Sequence, residues 1–229
     1  MLRWPVVLFD LDGTLADTVD LIVASYRHAL TEVLDAQVPE RELRSWIGRP
    51  LRSTVAEAFP EQAGRVEEVV RVYREWNLAH HDEMIREIPG VRGLVGDLGA
   101  AGARLGVVTA KIAHTADLGL RATGLHLHIP VLAGAESTER HKPDPDPLLH
   151  ACRALDVDPG EGAYVGDSVY DLQAAHAAGM AAIGVTWGAG RREDLVAQGP
   201  WAVVEHVSDL RALLLPQEAP LRSRRASTS

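Results

Sequence analysis

The feature that most constrains this chain lies at its start, where the apolar run Pro5-Val6-Val7-Leu8-Phe9 stops abruptly at Asp10-Leu11-Asp12-Gly13-Thr14. A short apolar run without polar alternation is the profile of a strand buried on both faces, which belongs inside a parallel sheet. Similar runs recur at Arg104 to Val108, Ile129 to Ala133, Gly162 to Val165 and Ala181 to Val185, each followed by helical spacing or a Gly/Pro-rich turn. Strands alternating with helices predict an α/β fold with right-handed crossovers. One stretch breaks the alternation. From Asp17 to about Ile85 there is no strand pattern, only helical spacing such as Val66, Val69, Val70, Tyr73 and Asn77 or His80. This insert follows the first strand, so it is expected to emerge at the carboxyl edge of the sheet, where open α/β proteins bind ligands, and to cover them. Pro89-Gly90 marks the return to the core, and the helix from Val91 to Ala101 is expected to stop at Gly102. The expected division is a core over 1–16 and 86–215, a helical cap domain over 17–85 and a disordered tail over 216–229.

Composition narrows the classes of partner. With 32 acidic against 23 basic side chains the net charge is -9, which opposes wrapping a polyphosphate backbone, so no nucleic-acid partner is expected. The single Cys152 can neither staple the chain nor build a thiolate metal site, and it fits a reducing compartment. No run approaches the roughly 18 apolar residues of a membrane span, and Met1 to Leu8 lacks a signal-peptide pattern. The expectation is a cytoplasmic protein with no membrane partner.

Two carboxylates at alternate positions of a strand end, Asp10 and Asp12, project to one face. Such neighbours repel unless a cation lies between them or one holds a proton, and either outcome suits catalysis. A turn accounts for Asp12-Gly13 but gives no reason for Asp10 at the mouth of an apolar strand. Gly166-Asp167-Ser168-Val169-Tyr170-Asp171 repeats the device after another apolar strand, although Asp167-Ser168 is also compatible with a plain helix cap. If the two strands are neighbours, four carboxylates converge. Asp10, Asp12 and Asp167 then offer hard oxygen ligands that favour Mg2+. Lys142 lies in the proline-stiffened segment His141-Lys142-Pro143-Asp144-Pro145, which can hold an ammonium at a defined point, and Thr109 supplies a hydroxyl at a third strand end. His80-His81 and His126-x-His128 lack partners at zinc-ligand spacing, and Trp76, Trp187 and Trp201 are assigned to packing.

In this order the motifs resemble those of the haloacid dehalogenase-like phosphohydrolases: Asp10-Leu11-Asp12-Gly13-Thr14, then Thr109, then Lys142, then Gly166-Asp167 with Asp171. The likeness spans the chain except its tail. It implies a Rossmann-like core with an inserted cap, and an Asp10 nucleophile that forms an aspartyl-phosphate which water hydrolyses. It also implies that Asp12 acts as acid and base, that Thr109 and Lys142 bind phosphoryl oxygens, and that Asp171 supports the site. Mg2+ would be held by the Asp10 carboxylate, the Asp12 backbone carbonyl and Asp167. The stretches Ile47-Gly48-Arg49-Pro50-Leu51, Tyr73 to Asn77 and Val108-Thr109-Ala110-Lys111 look most like the bacterial pyrophosphatase and phosphoglycolate phosphatase branch. A small phosphorylated substrate is therefore expected, with pyrophosphate and phosphoglycolate foremost. Arg49 and Lys111 are candidates for contacts to a second anionic group, the alternative being ordinary surface charges. Ala110 departs from the Asn or Thr frequent in that branch, which bears on substrate and not on catalysis.

Three rival activities share parts of this pattern. A dehalogenase would keep Asp10 but has no use for Asp12. A β-phosphoglucomutase would share every motif and differ in its cap. A phospho-Asp signalling switch would share the acidic cluster, the hydroxyl and the lysine, but has no cap and keeps its phosphoryl group longer than Asp12 would allow. No Gly-x-x-x-x-Gly-Lys-Ser/Thr run supports a nucleotide kinase.

Overall fold

The computed structural model describes residues 2–215, so the tail expected over 216–229 lies outside the described residues. In chain order the strands are β1 (Val6–Phe9), β2 (Ala16–Asp17), β3 (Arg86–Glu87), β4 (Arg104–Val108), β5 (Val131–Ala133), β6 (Gly162–Gly166), β7 (Ala181–Val185) and β8 (Ala202–Val204). Six of them form one sheet in the order β5-β4-β1-β6-β7-β8, every pairing parallel. β1 is central because it is apolar throughout, and both of its faces are used. Val7 and Phe9 join one apolar cluster, Val6 and Leu8 the other. The same alternation sends Ala163 and Val165 of β6 one way and Tyr164 the other, as a period of two requires.

Five helices lie between β2 and β3: α1 (Val19–Leu34), α2 (Glu40–Ser45), α3 (Leu51–Ala58), α4 (Val66–Ala79) and α5 (His81–Met84). Their core is built from Val19, Ile22, Tyr26, Leu43, Trp46 and Val69, among others. α1 and α4 are further tied by a buried hydrogen bond from Asn77 Nδ2 to Ser25 Oγ of 2.9 Å. The helical spacing expected for α4 is observed, with Val66, Val69, Val70 and Asn77 buried. The rest of the chain alternates as anticipated through α6 (Val91–Ala100), α7 (Ala113–Ala122), α8 (Asp146–Leu155), α9 (Val169–Ala178), α10 (Arg192–Ala197) and α11 (Val207–Leu214). Gly102, at φ 87°, follows α6 in the left-handed conformation expected of it. Among the described residues no helix is long and apolar enough to cross a membrane.

Four details differ from the sequence reading. The strand anticipated from Ile129 begins only at Val131, because Pro130 has no N–H to donate; it contributes only its carbonyl, to Val107 N at 2.9 Å. The insert is entered and left through a two-residue antiparallel ribbon, Ala16 opposite Glu87 and Asp17 opposite Arg86, so Asp17 is itself in a strand. β8 with its flanking α10 and α11 extends the sheet beyond β7, where no strand was anticipated. Trp201 is 49% exposed, set edge-on to Trp4 at 4.9 Å with the Arg3 guanidinium 4.6 Å from its ring, so it shields an edge and does not fill the core.

Candidate active site

The carboxyl ends of β1, β4 and β6 are neighbours, which brings Asp10, Thr109 and Asp167 to one edge. Asp10 N still donates to Val165 O of β6 at 2.9 Å, so the residue after β1 remains stitched to the sheet. The chain then turns sharply. Leu11 O accepts from the N–H groups of Leu15 (2.9 Å) and Ala16 (3.0 Å), and Gly13 takes φ 75°. A Cβ on Gly13 or on Gly188 would collide with the Asp167 carboxylate, so two glycines let backbone close around that acid.

Asp10, Asp167 and Asp171 are buried and present carboxylate oxygens within 4.8 Å of one another. Into this group reaches Lys142, whose ammonium donates to Asp10 Oδ1 (2.9 Å), Asp171 Oδ1 (2.6 Å) and the Tyr164 hydroxyl (3.0 Å). All three of its protons are thus used. Tyr164 donates onward to Val108 O at 2.7 Å, anchoring the lysine to β4. The other oxygen of Asp171 accepts from Ser168 N (3.0 Å) and Ser168 Oγ (2.6 Å), while Ser168 Oγ accepts from Asp171 N: a capping box that starts α9. The helix-cap reading of this motif is therefore correct, and it coexists with the acidic cluster. Asp167 accepts from Ala189 N at 2.6 Å and from Thr14 Oγ1 at 3.4 Å.

Burial dominates the electrostatics. It pushes the Asp10 carboxyl up to about 7, against the pull of Lys142 and with a push from Asp171 and Asp12. Burial likewise holds Asp167 well above the usual carboxylate range, helped by Asp171 and Asp10. For Lys142 burial opposes the charge, but Asp10 and Asp171 outweigh it and hold the ammonium well above its ordinary value. Three carboxylates and one ammonium leave a surplus of buried negative charge, which must be neutralised by protons or by a cation. A divalent cation with oxygen ligands suits both the surplus and the donor set, and among the described residues this is the one cluster of its kind. Asp171 accepts from Lys142 on one oxygen and twice from Ser168 on the other, whereas Asp167 accepts one hydrogen bond per oxygen, that from Thr14 long at 3.4 Å, and Asp10 accepts from Lys142 on Oδ1, so Asp10 and Asp167 are the side chains better placed to bind such an ion.

Asp12 does not join the others. Its carboxylate turns away to meet Lys111, whose ammonium donates to Asp12 Oδ1 at 2.7 Å. The expected convergence of four carboxylates is thus one of three, because the strand geometry that would align Asp12 with Asp10 ends where the turn begins. Thr109 is buried at the end of β4, its N–H on Ala133 O (3.0 Å) and its Oγ1 accepting from Lys111 N (3.2 Å). Over this edge lies a cavity of about 380 Å³ whose lining includes Asp10, Asp12, Thr109 and Lys111 from the sheet side and Arg49 and Trp46 from the insert. Arg49, expected as a substrate contact, pairs with Glu57 and lies 5.7 Å from the Tyr170 ring. The preceding Gly48, at φ 90°, comes so close to Ser168 Oγ that a Cβ would not fit, so the insert backbone lies directly against the start of α9 there.

Tyr164 and the Gly188-Ala189-Gly190 loop were not singled out by sequence. A hydroxyl-bearing aromatic inside a Gly/Ala/Val strand, and two glycines just past β7, were the available signals. Trp187, assigned to packing, also donates from Nε1 to Thr14 O at 3.2 Å and so braces the β1 turn.

Residues 7–185 match the sequence profile of the family described as haloacid dehalogenase-like hydrolase. A pyrophosphatase, PpaX, of Anoxybacillus flavithermus is 38% identical over 208 residues, which is 91% of this chain and 95% of that protein. PpaX of Bacillus velezensis is 36% identical over the same shares. Among solved structures, "a predicted phosphatase from Clostridium acetobutylicum" superposes with a TM-score of 0.83 at 26% identity, over 91% of this chain and 97% of that one. "A predicted phosphoglycolate phosphatase" from Haemophilus somnus 129pt gives 0.78 at 27% identity, over 93% and 99%.

Proposed function

The chain belongs to the haloacid dehalogenase-like hydrolase family, and from that premise we propose that it is a Mg2+-dependent phosphatase of small phosphate esters or anhydrides, pyrophosphate and phosphoglycolate foremost. The observation that carries this reading is the fully bonded Lys142 beside Asp10, at 2.9 Å, beneath a cavity to which Asp10 and Thr109 contribute. Asp10 attacks phosphorus, so a new O–P bond forms as the bond to the leaving oxygen breaks. Asp12, at the cavity wall, gives its proton to that oxygen and then takes one from the water that attacks the aspartyl-phosphate, releasing phosphate and restoring Asp10. Lys142 and the Thr109 hydroxyl neutralise and orient the phosphoryl oxygens, and residues 17–85 act as the cap that shapes the cavity. Bound through Asp10, Asp167 and the Asp12 carbonyl, Mg2+ would supply positive charge to the transferring group.

The names of the PpaX relatives support pyrophosphate, and that of the Haemophilus somnus structure phosphoglycolate. The test is phosphate release across a panel of small phosphates with Mg2+ and with chelator, ranked by kcat/KM. Release that is abolished by chelator and highest on one of these two compounds is the expected result. Equal rates in chelator, or activity confined to isomerising a sugar phosphate, would overturn the reading.

A further inference from the structure

Lys111 and Lys142 both touch an aspartate of the β1 turn, yet they are held in opposite ways. Lys142 spends all three ammonium protons on buried partners. Lys111 is fixed through its backbone, N–H on Thr109 Oγ1 (3.2 Å) and carbonyl under Ala135 N (2.9 Å). Its ammonium makes a single hydrogen bond among the described residues, to Asp12, which leaves two donor protons for a ligand in the cavity that both residues line. With the two side chains each 12% exposed, the pair is shielded enough to be specific and open enough to exchange.

Resting on the reading above, in which Asp12 serves the leaving oxygen, we propose that Lys111 changes partner during turnover. Its ammonium moves from Asp12 to an anionic group carried by the leaving half of the substrate, and Asp12, released from the pair, takes a proton from solvent and turns to the scissile oxygen to deliver it. Geometry limits the class of substrate. Before the exchange Lys111 Nζ lies 2.7 Å from Asp12, and with one hydrogen bond from Asp12 to the leaving oxygen and one from Nζ to the anion, the second anion sits within about 8 Å of that oxygen. A second phosphoryl group or a carboxylate one carbon away satisfies this, whereas an anion at the far end of a long sugar phosphate does not. A leaving half without an anion gives Lys111 no reason to quit Asp12. Discrimination then falls on kcat and not on KM alone, because the exchange sets the position of a reacting group.

The test compares phosphoglycolate with ethyl phosphate, which has the same skeleton with a methyl in place of the carboxylate, and pyrophosphate with methyl phosphate. The wild-type protein is expected to favour the anionic member of a pair in kcat. Lys111→Met is expected to lower that kcat ratio about tenfold or more, the worth of one charge-assisted hydrogen bond, and Lys111→Arg to keep most of it. The neutral ester, assayed on the same preparation, separates this effect from loss of folded protein, and Lys111→Gln repeats the comparison with a milder change. Equal kcat on both members in the wild type, or one common factor of loss in Lys111→Met and Lys111→Gln, would overturn the exchange. Wild-type protein that releases phosphate from none of these compounds would overturn the phosphatase reading instead.

Discussion

Beneath the cavity, three buried carboxylates cluster about one ammonium that bonds two of them, Asp10 and Asp171, and the other bonds of Asp167 and Asp171 go to backbone amides and hydroxyls. Above it, the insert pairs Arg49 with Glu57 and Arg52 with Glu67 in ion pairs that reach solvent, on a wall otherwise made of groups such as Ile22, Trp46 and Ile47. The two regions handle charge differently. Under the cavity each group depends on the others, since removing one leaves a desolvated charge without compensation. In the insert each pair is local and screened, so it can be broken at small cost. Chemistry that needs fixed positions belongs to the first kind of region, and adjustment to different substrates to the second.

That contrast can be tested by substitution. Asp10→Asn is expected to lower phosphate release at least about a thousandfold, as loss of a nucleophile does, while the protein still unfolds cooperatively. Retained turnover would place the chemistry elsewhere. Lys142→Met should cost about 3–5 kcal/mol in urea denaturation as well as activity, because Asp10 and Asp171 lose the charge between them. A loss under about 1 kcal/mol would mean that the buried charges are already neutralised in another way.

Acidity gives a third test. In the cation-free protein Asp10 holds its proton up to about 7, whereas an unfolded Asp releases it near 3.9. Between these values the folded state binds the extra proton, so this group's contribution to stability is complete below about 4 and is lost as pH rises through about 7. Mg2+ competes with that proton. The rise in Tm on adding Mg2+ should therefore be larger at pH 8 than at pH 5.5, and binding near pH 6 should release protons in calorimetry. A larger rise at pH 5.5 would contradict the arrangement. The smallest effect is expected in the insert, where Glu57→Gln should shift stability by no more than about 1 kcal/mol, measured as the urea midpoint.

Much of the buried cluster was legible from sequence, because strand-end position alone places Asp10, Thr109 and Asp167 and needs only the sheet order to unite them. Lys142 was legible from its prolines. The direction of Asp12 was not, since alternation along a strand says nothing once Leu11 O starts a turn. Nor was the role of Tyr164, whose three polar neighbours come from β4, α9 and the loop before α8, and whose spacing within β6 marks only a buried face. The β2–β3 ribbon is too short to have a period. The ligand wall of the insert was legible as helix but not as a partner set, because which cation faces which carboxylate depends on packing between α3 and α4.

The most direct test of the buried cluster as a phosphoryl-transfer site is a rapid acid quench during turnover of a phosphoryl-labelled substrate with Mg2+, followed by peptide mapping. The account predicts transient label on the peptide that contains Asp10, and none in Asp10→Asn. Label on any other residue, or phosphate release by Asp10→Asn at the wild-type rate, would contradict it.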